Sequence, residues 1–159
     1  MSSSLARFHA AQADAHHGYA AALAEIRTTG KQSHWIWYVF PQLAGLGRSP
    51  QALHYALAGR AEAEQYLEDP LLLAHLLEIT SAVAGQLDRG WSLSKIMGSS
   101  LDALKLVSSL TLFQTIGDES PSATAGDRAE LSAVIGRVLR AAAEQGYERC
   151  AFTARQLAE

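Results

Sequence analysis

Cysteine is nearly absent: Cys150 is the only one in 159 residues. A lone thiol can close no internal disulfide and build no Cys-based zinc site, so a reducing cytoplasm is the expected compartment. Charge is sparse too. Asp, Glu, Lys and Arg make up 18% of the chain, with a formal net charge of −3, whereas a general nucleic-acid binder needs a basic face. The greasiest stretch, residues 70–87, is interrupted by His75, Glu78, Thr80 and Ser81, so it reads as a core helix and not as a membrane span. The opening Met1-Ser2-Ser3-Ser4-Leu5-Ala6-Arg7 has neither the charged start nor the apolar run of a signal peptide. Repeats, low-complexity tracts and blocks of like charge are missing as well.

β-branched apolar residues are the last scarcity: 11 Val plus Ile stand against 29 Ala and 22 Leu. Ala and Leu lose little on entering a helix, while β-branched side chains lose rotamer freedom there. A hydrophobic fraction of 48% with low net charge excludes a disordered chain. The length suits one domain with a full core that needs no metal or disulfide staple. The expectation is an all-α fold, a single compact bundle of about seven or eight helices over residues 1–159, with no convincing sheet.

Apolar periodicity and capping signals place the helices. Phe8, Gln12, Ala15, Tyr19, Ala22 and Ile26 alternate spacings of four and three, which predicts one helix over residues 5–28 stopped by Gly30. If that stripe is buried, the Gln12 amide needs a partner. The aromatic run at 33–41 suits a buried strand by composition, but nothing else in the chain pairs with it, so a short helix ended by Pro41 is preferred. Ser49-Pro50 and Asp69-Pro70 join a side-chain cap to a proline at the first helical position. They open helices to about residue 57 and over 70–87, and 61–68 reads as another. Ser99-x-x-Asp102 and Thr124-x-x-Asp127 resemble capping boxes, starting helices over 100–116 and 125–145, the latter stopped by Gly146. A short last helix follows. The segment 117–126, rich in Ser, Asp, Gly and Pro, is the expected disordered loop.

Motif chemistry is thin. Gly45-Leu46-Gly47-Arg48-Ser49-Pro50 falls short of a dinucleotide fingerprint, since the third glycine and the surrounding strand–turn–helix unit are absent. There is no P-loop, no Gly-x-Ser-x-Gly elbow and no His-Glu-x-x-His. The six histidines form no metal pattern, and His9, His16, His54 and His75 read as surface positions. Lys105, Ser108 and Ser109 lie three and four apart on one helix, so a Lys–Ser nucleophile pair is one reading. The plainer reading is a surface lysine paired with Asp102 beside small hydroxyls that ease helix packing.

Four of the twelve aromatics, Trp35, Trp37, Tyr38 and Phe40, fall in one short run, preceded by Lys31 and His34 and followed by Pro41-Gln42. Flat apolar walls beside a cation, an imidazole and an amide suit a planar polar ligand such as a nucleobase or a nicotinamide-type ring. The alternative is an aromatic core cluster with snorkelling polar neighbours. His34 has the ordinary pKa best suited to proton transfer near neutrality.

Several motifs resemble one family. Phe8-x-x-Ala11-Gln12, Tyr19-x-x-Ala22-Leu23-x-Glu25-Ile26, and above all Gly30-Lys31-x-x-His34-Trp35-x-Trp37-Tyr38-x-Phe40-Pro41-Gln42-Leu43-x-Gly45-Leu46-Gly47-x-Ser49 look like the bacterial family catalogued as domain of unknown function 1810. Tyr55-Ala56, Ala63-x-x-Tyr66-Leu67-x-x-Pro70 and Asp102-x-x-Lys105-Leu106-x-Ser108-Ser109-x-Thr111-Leu112-Phe113 extend the likeness. It is close over about residues 8–117 and loose in the helical tail at 125–157. The resemblance implies an all-α single domain without an established activity. Some members carry the label calpastatin, which this globular composition does not support. Ile36, Val107 and Leu110 depart from the family's usual residues. Glu148 to Thr153 replaces a more acidic turn, which puts in doubt any role that depends on that turn.

The resemblance covers the polar residues Gln12, Lys31, His34, Gln42, Lys105, Ser108 and Ser109, which raises the weight of a shared polar pocket. Two functions follow. In the first, a pocket takes a small, partly anionic, nucleotide-like ligand and performs hydrolytic or transfer chemistry without a metal or cofactor. Trp35 and Trp37 would be its walls, Lys31 and Lys105 its charge, Gln12 and Gln42 its orienting amides, Ser108 and Ser109 its hydroxyls and His34 its acid–base group. These side chains should then converge on one cleft. In the second, the chain is a non-catalytic interaction or structural module whose aromatic segment is core or a partner-facing patch, with no cleft and an exposed apolar surface. Neither function calls for a nucleic-acid or membrane partner.

Overall fold

A computed structural model describes residues 5–119 and 126–158. It is all-α, but the described residues form ten helices and not seven or eight. In order they are α1 (Ala6–Gln12), α2 (Tyr19–Thr28), α3 (Ile36–Val39), α4 (Pro50–Tyr55), α5 (Arg60–Glu68), α6 (Pro70–Asp88), α7 (Leu93–Met97), α8 (Ser100–Glu119), α9 (Gly126–Glu144) and α10 (Ala151–Ala158).

The first extra helix comes from a break in the stripe predicted over 5–28. The Asp14 carboxylate accepts the backbone N–H groups of His16 and His17 at 2.9 and 2.7 Å, which turns the chain out of α1. Such local side-chain bonds compete directly with helical ones. Gly18 then starts α2 in a turn so tight that a Cβ there would lie 2.3 Å from the Asp14 carbonyl oxygen. The second extra helix, α7, is one short turn between the Ser92 cap, whose hydroxyl accepts Lys95 N–H at 3.2 Å, and Gly98 at φ +84°. It is too short for periodicity to reveal.

Most predicted punctuation stands. Ser49 accepts from Ala52 N–H, Asp69 from the N–H groups of Leu71 and Leu72, and Ser99 from Asp102 N–H. Phe40 ends α3 immediately before Pro41. Strand character among the described residues is confined to one isolated bridge, Leu43 with Leu57. Of the disordered loop expected at 117–126, Gly117, Asp118 and Glu119 belong to α8 and Gly126 opens α9; residues 120–125 lie outside the described residues. Thr124 lies outside the described residues.

Three long helices, α6, α8 and α9, organise the core. α6 packs against α9, α2 and α5, burying Leu72, Leu76, Ile79 and Val83. It is long and apolar enough to cross a membrane by length and composition, and its stripe is in contact with neighbouring helices. α8 packs against α9, α7, α5 and α10, burying Leu106, Leu110 and Phe113. α10 returns along α8 and places the Phe152 ring on Gly45, where a Cβ would meet the ring at 2.7 Å. The C-terminal helix thus props the loop that follows the aromatic segment.

Candidate functional site

The aromatic segment is mostly interior. Trp35 and Phe40 are 0% exposed, and Ile36, Tyr38 and Val39 are buried with them, while Trp37 is half-buried. Burial of an indole requires a partner for its N–H, and Trp35 Nε1 donates to Glu25 at 2.9 Å. The same Glu25 carboxylate accepts from Gln32 N–H, Ser33 N–H and the Ser33 hydroxyl at 2.7–2.9 Å. Burial pushes the Glu25 pKa up, but these donors outweigh it and hold the carboxyl below its ordinary value.

Lys31 is likewise built in. Its ammonium meets Asp102 at 2.8 Å, donates to the Ser33 carbonyl at 2.5 Å and lies 5.3 Å from the Trp35 ring. Two glycines let its loop approach the α7–α8 corner. A Cβ on Gly30 would fall 2.5 Å from Lys95 O, and one on Gly98 2.7 Å from Lys31 O. Lys105 touches the other Asp102 oxygen at 3.5 Å and stands 5.5 Å from the Trp37 ring. Asp102 is therefore shared by two lysines.

The residues proposed for a ligand pocket divide among three surroundings. His34 is exposed and lines an open groove of about 600 Å³ with Asp14, His17, Gln32, Ser33 and Tyr38. Trp37, Gln42, Lys105 and Ser108 line another, of about 320 Å³, with Arg48, Ser49, Leu101 and Leu104. A cavity of about 20 Å³ lies beside both, sharing Tyr55 with the first groove and Trp37 and Gln42 with the second. Gln12, Lys31, Trp35 and Ser109 are buried and line neither groove. The chain thus has grooves where the module reading expected none, but they do not gather the chosen polar groups into one cleft.

The Lys105 helix is arranged for packing. The Ser108 hydroxyl donates to Leu104 O at 3.1 Å. Ser109 is fully buried, and its hydroxyl has no hydrogen-bond partner among the described residues. The Lys105 ammonium faces the Asp102 carboxylate at 3.5 Å, and the Ser108 hydroxyl is taken up by Leu104 O. The plainer sequence reading, Lys105 paired with Asp102, describes the geometry.

Sequence reading missed a polar knot between α1, α2, α5 and α6. Gln12 Nε2 donates to Tyr38 O at 2.7 Å and to the Tyr66 hydroxyl at 3.2 Å, while its Oε1 meets His75 Nδ1 at 2.7 Å. The Tyr19 ring stacks on His75 at 3.8 Å, and its hydroxyl donates to Glu78 at 2.7 Å. His75, read as a surface position, is half-buried, and burial lowers its pKa. Burial likewise raises the Tyr19 and Tyr66 pKa values. His9 also has a specific partner, Asp69, at 2.7 Å. Gln12 inside an apolar stripe was the available signal, since a buried amide requires partners.

Cys150 is half-buried just before α10, with its N–H on the Thr111 hydroxyl and its sulfur accepting from Thr153. Burial pushes this thiol up, but hydrogen bonding with Ser108 and Thr153 outweighs it and lowers the pKa. Among the described residues, no cluster of three or more His, Cys, Asp or Glu side chains is placed to hold a metal ion.

Comparison with known proteins agrees with this architecture. No curated protein matches the chain. A crystal structure of the conserved hypothetical protein Rv1873 from Mycobacterium tuberculosis is similar at a TM-score of 0.72 and 33% identity, covering 98% of this chain and 96% of that one. The family model described as "Protein of unknown function (DUF1810)" matches residues 2–128, a span that contains the aromatic segment, both grooves and the polar knot, and the chain belongs to that family.

Proposed function

We propose that this protein is a non-catalytic interaction module, with an aromatic segment that is chiefly core and a partner-facing surface around Trp37, between α3, α4 and α8. The observation that carries this reading is the division of the polar side chains. Gln12, Lys31, Trp35 and Glu25 hold the fold together through specific internal bonds, which leaves Trp37 as the half-open member of the aromatic run. Beside it stand exposed leucines, and apolar surface rimmed by polar groups marks interaction sites. The single half-buried thiol fits a cytoplasmic setting.

A second reading keeps one observation in its favour. His34, His17, Asp14 and Tyr38 line the larger groove, which supports a pocket for a small polar or nucleotide-like ligand with hydrolytic or transfer chemistry. A thermal-shift screen against nucleotides, nicotinamide derivatives and sugar phosphates separates the two, because a ligand at a hundred times its Kd adds about 2.7 kcal/mol. The module reading expects no compound to be consumed. A compound that shifts wild type and is turned over, with turnover lost in His34→Ala while binding persists, would overturn it.

A further inference from the structure

We infer that the α3/α4/α8 groove receives an acidic segment of a partner protein, with a leucine or aromatic side chain seated against Trp37 and a carboxylate between Arg48 and Lys105. This rests on the module reading above and adds the chemistry of the occupant.

Two independent features support it. The first is the placement of exposed apolar surface. Large hydrophobic side chains stand exposed at four positions among the described residues: Leu53 (65%), Leu71 (51%), Leu101 (63%) and Leu104 (49%). Three of the four lie on α4 and α8, the helices that frame the groove. Leu101 and Leu104 are three apart on α8, hence neighbours on one helical face, and both line the groove itself. Scattered leucines are ordinary, but Leu101 and Leu104 together at a cleft of about 320 Å³ beside a half-buried indole make apolar surface of the kind that marks a protein-docking site.

The second feature is charge. Acidic residues outnumber basic ones, 16 to 13, in the whole chain, yet the groove is lined by Arg48 and Lys105 and by no carboxylate. Arg48 forms no ion pair among the described residues. The one ion pair of Lys105 among the described residues is a 3.5 Å contact with Asp102, whose other oxygen is held by Lys31 at 2.8 Å. Two lysines thus share one carboxylate, and an incoming one completes the set. Rim cations of this kind orient and steer an acidic partner, while the apolar anchors supply residence.

The test pans a random dodecapeptide phage library on the full-length wild-type protein, then measures selected synthetic peptides by fluorescence anisotropy. Expected sequences pair Leu, Phe or Trp with Asp or Glu. Their affinity falls about tenfold or more in Leu101→Asp, an exposed position whose substitution leaves the core intact. It also falls several-fold in Arg48→Glu and on raising salt from about 0.05 to about 0.5 M. Peptides that need Leu101 but are neutral or basic, and indifferent to Arg48→Glu and salt, overturn the acidic occupant and leave the docking face standing. Binders indifferent to Leu101→Asp, or none at all, overturn the docking face as well. Wild-type dimers that become monomeric in Leu101→Asp would assign the face to a second copy of this chain and overturn the proposal.

Discussion

Replacing Trp35 and Trp37 separately by alanine is the sharpest test of how the aromatic segment is used. Trp35 is fully buried, and a buried indole removes about 200 Å² from water, worth about 5 kcal/mol by area as an upper bound. Measured truncations of buried aromatics give about 3–5 kcal/mol. Trp35→Ala also removes one of the four donors on Glu25, with solvent available to replace it in part. A loss of about 4 kcal/mol is expected, lowering Tm by about 10 °C or more in a chain of this size. Trp37 is half-buried and should cost only about 1–2 kcal/mol on truncation. Trp35→Phe keeps most of the packing and should cost about 1–2 kcal/mol, chiefly the lost bond to a charged acceptor. Urea denaturation followed by circular dichroism measures all three. A Trp35→Ala loss no greater than that of Trp37→Ala would refute the assignment of Trp35 to the core.

Other substitutions probe the supports of the segment. Gln12→Ala leaves Tyr38 O, the Tyr66 hydroxyl and His75 without their amide partner, and should cost about 2–3 kcal/mol in a urea titration. Gly98→Ala forces a side chain onto φ +84° and within 2.7 Å of Lys31 O, so a loss of about 1–3 kcal/mol is expected, whereas Gly90→Ala meets no neighbouring atom and should show the backbone cost alone. Burial lowers the His75 pKa below its ordinary 6.5. Its contribution is therefore full above about pH 6.5 and declines as the pH falls below that, because the unfolded chain takes up the proton first. Stability measured from pH 7.5 to 5 should drop less in His75→Gln than in wild type. Glu25 and Asp69 are held below their ordinary carboxylate values, with hydrogen bonds outweighing burial, so their losses begin only in the more acid range.

Local signals were legible in the sequence wherever they act within a few residues. Ser49-Pro50, Asp69-Pro70 and Ser99 announce helix starts because cap and amide are three residues apart or fewer. Leu72, Leu76, Ile79 and Val83 announce a core face because each turn returns a side chain to the same side. The break at Asp14 was hidden by the stripe that continues across it. Two N–H bonds to one carboxylate outweigh a periodic pattern that includes the small, permissive Ala15, and α7 has too few residues to display a period. The sequence lists the candidate site residues by resemblance and spacing, but which of them share a surface depends on which helix faces meet.

The composition by itself settles the scaffold. A chain rich in Ala and Leu and poor in Val and Ile has helix as its low-cost backbone, whatever packs against it. What each polar side chain does was decided only by tertiary structure. Lys31 meets Asp102 across 71 positions of sequence, Gln12 meets His75 across 63, and Trp35 and Trp37, two residues apart, face core and groove. Hydrogen bonds and ion pairs reach only about 3–4 Å, and no sequence spacing at that separation encodes which distant groups the packed helices bring within reach.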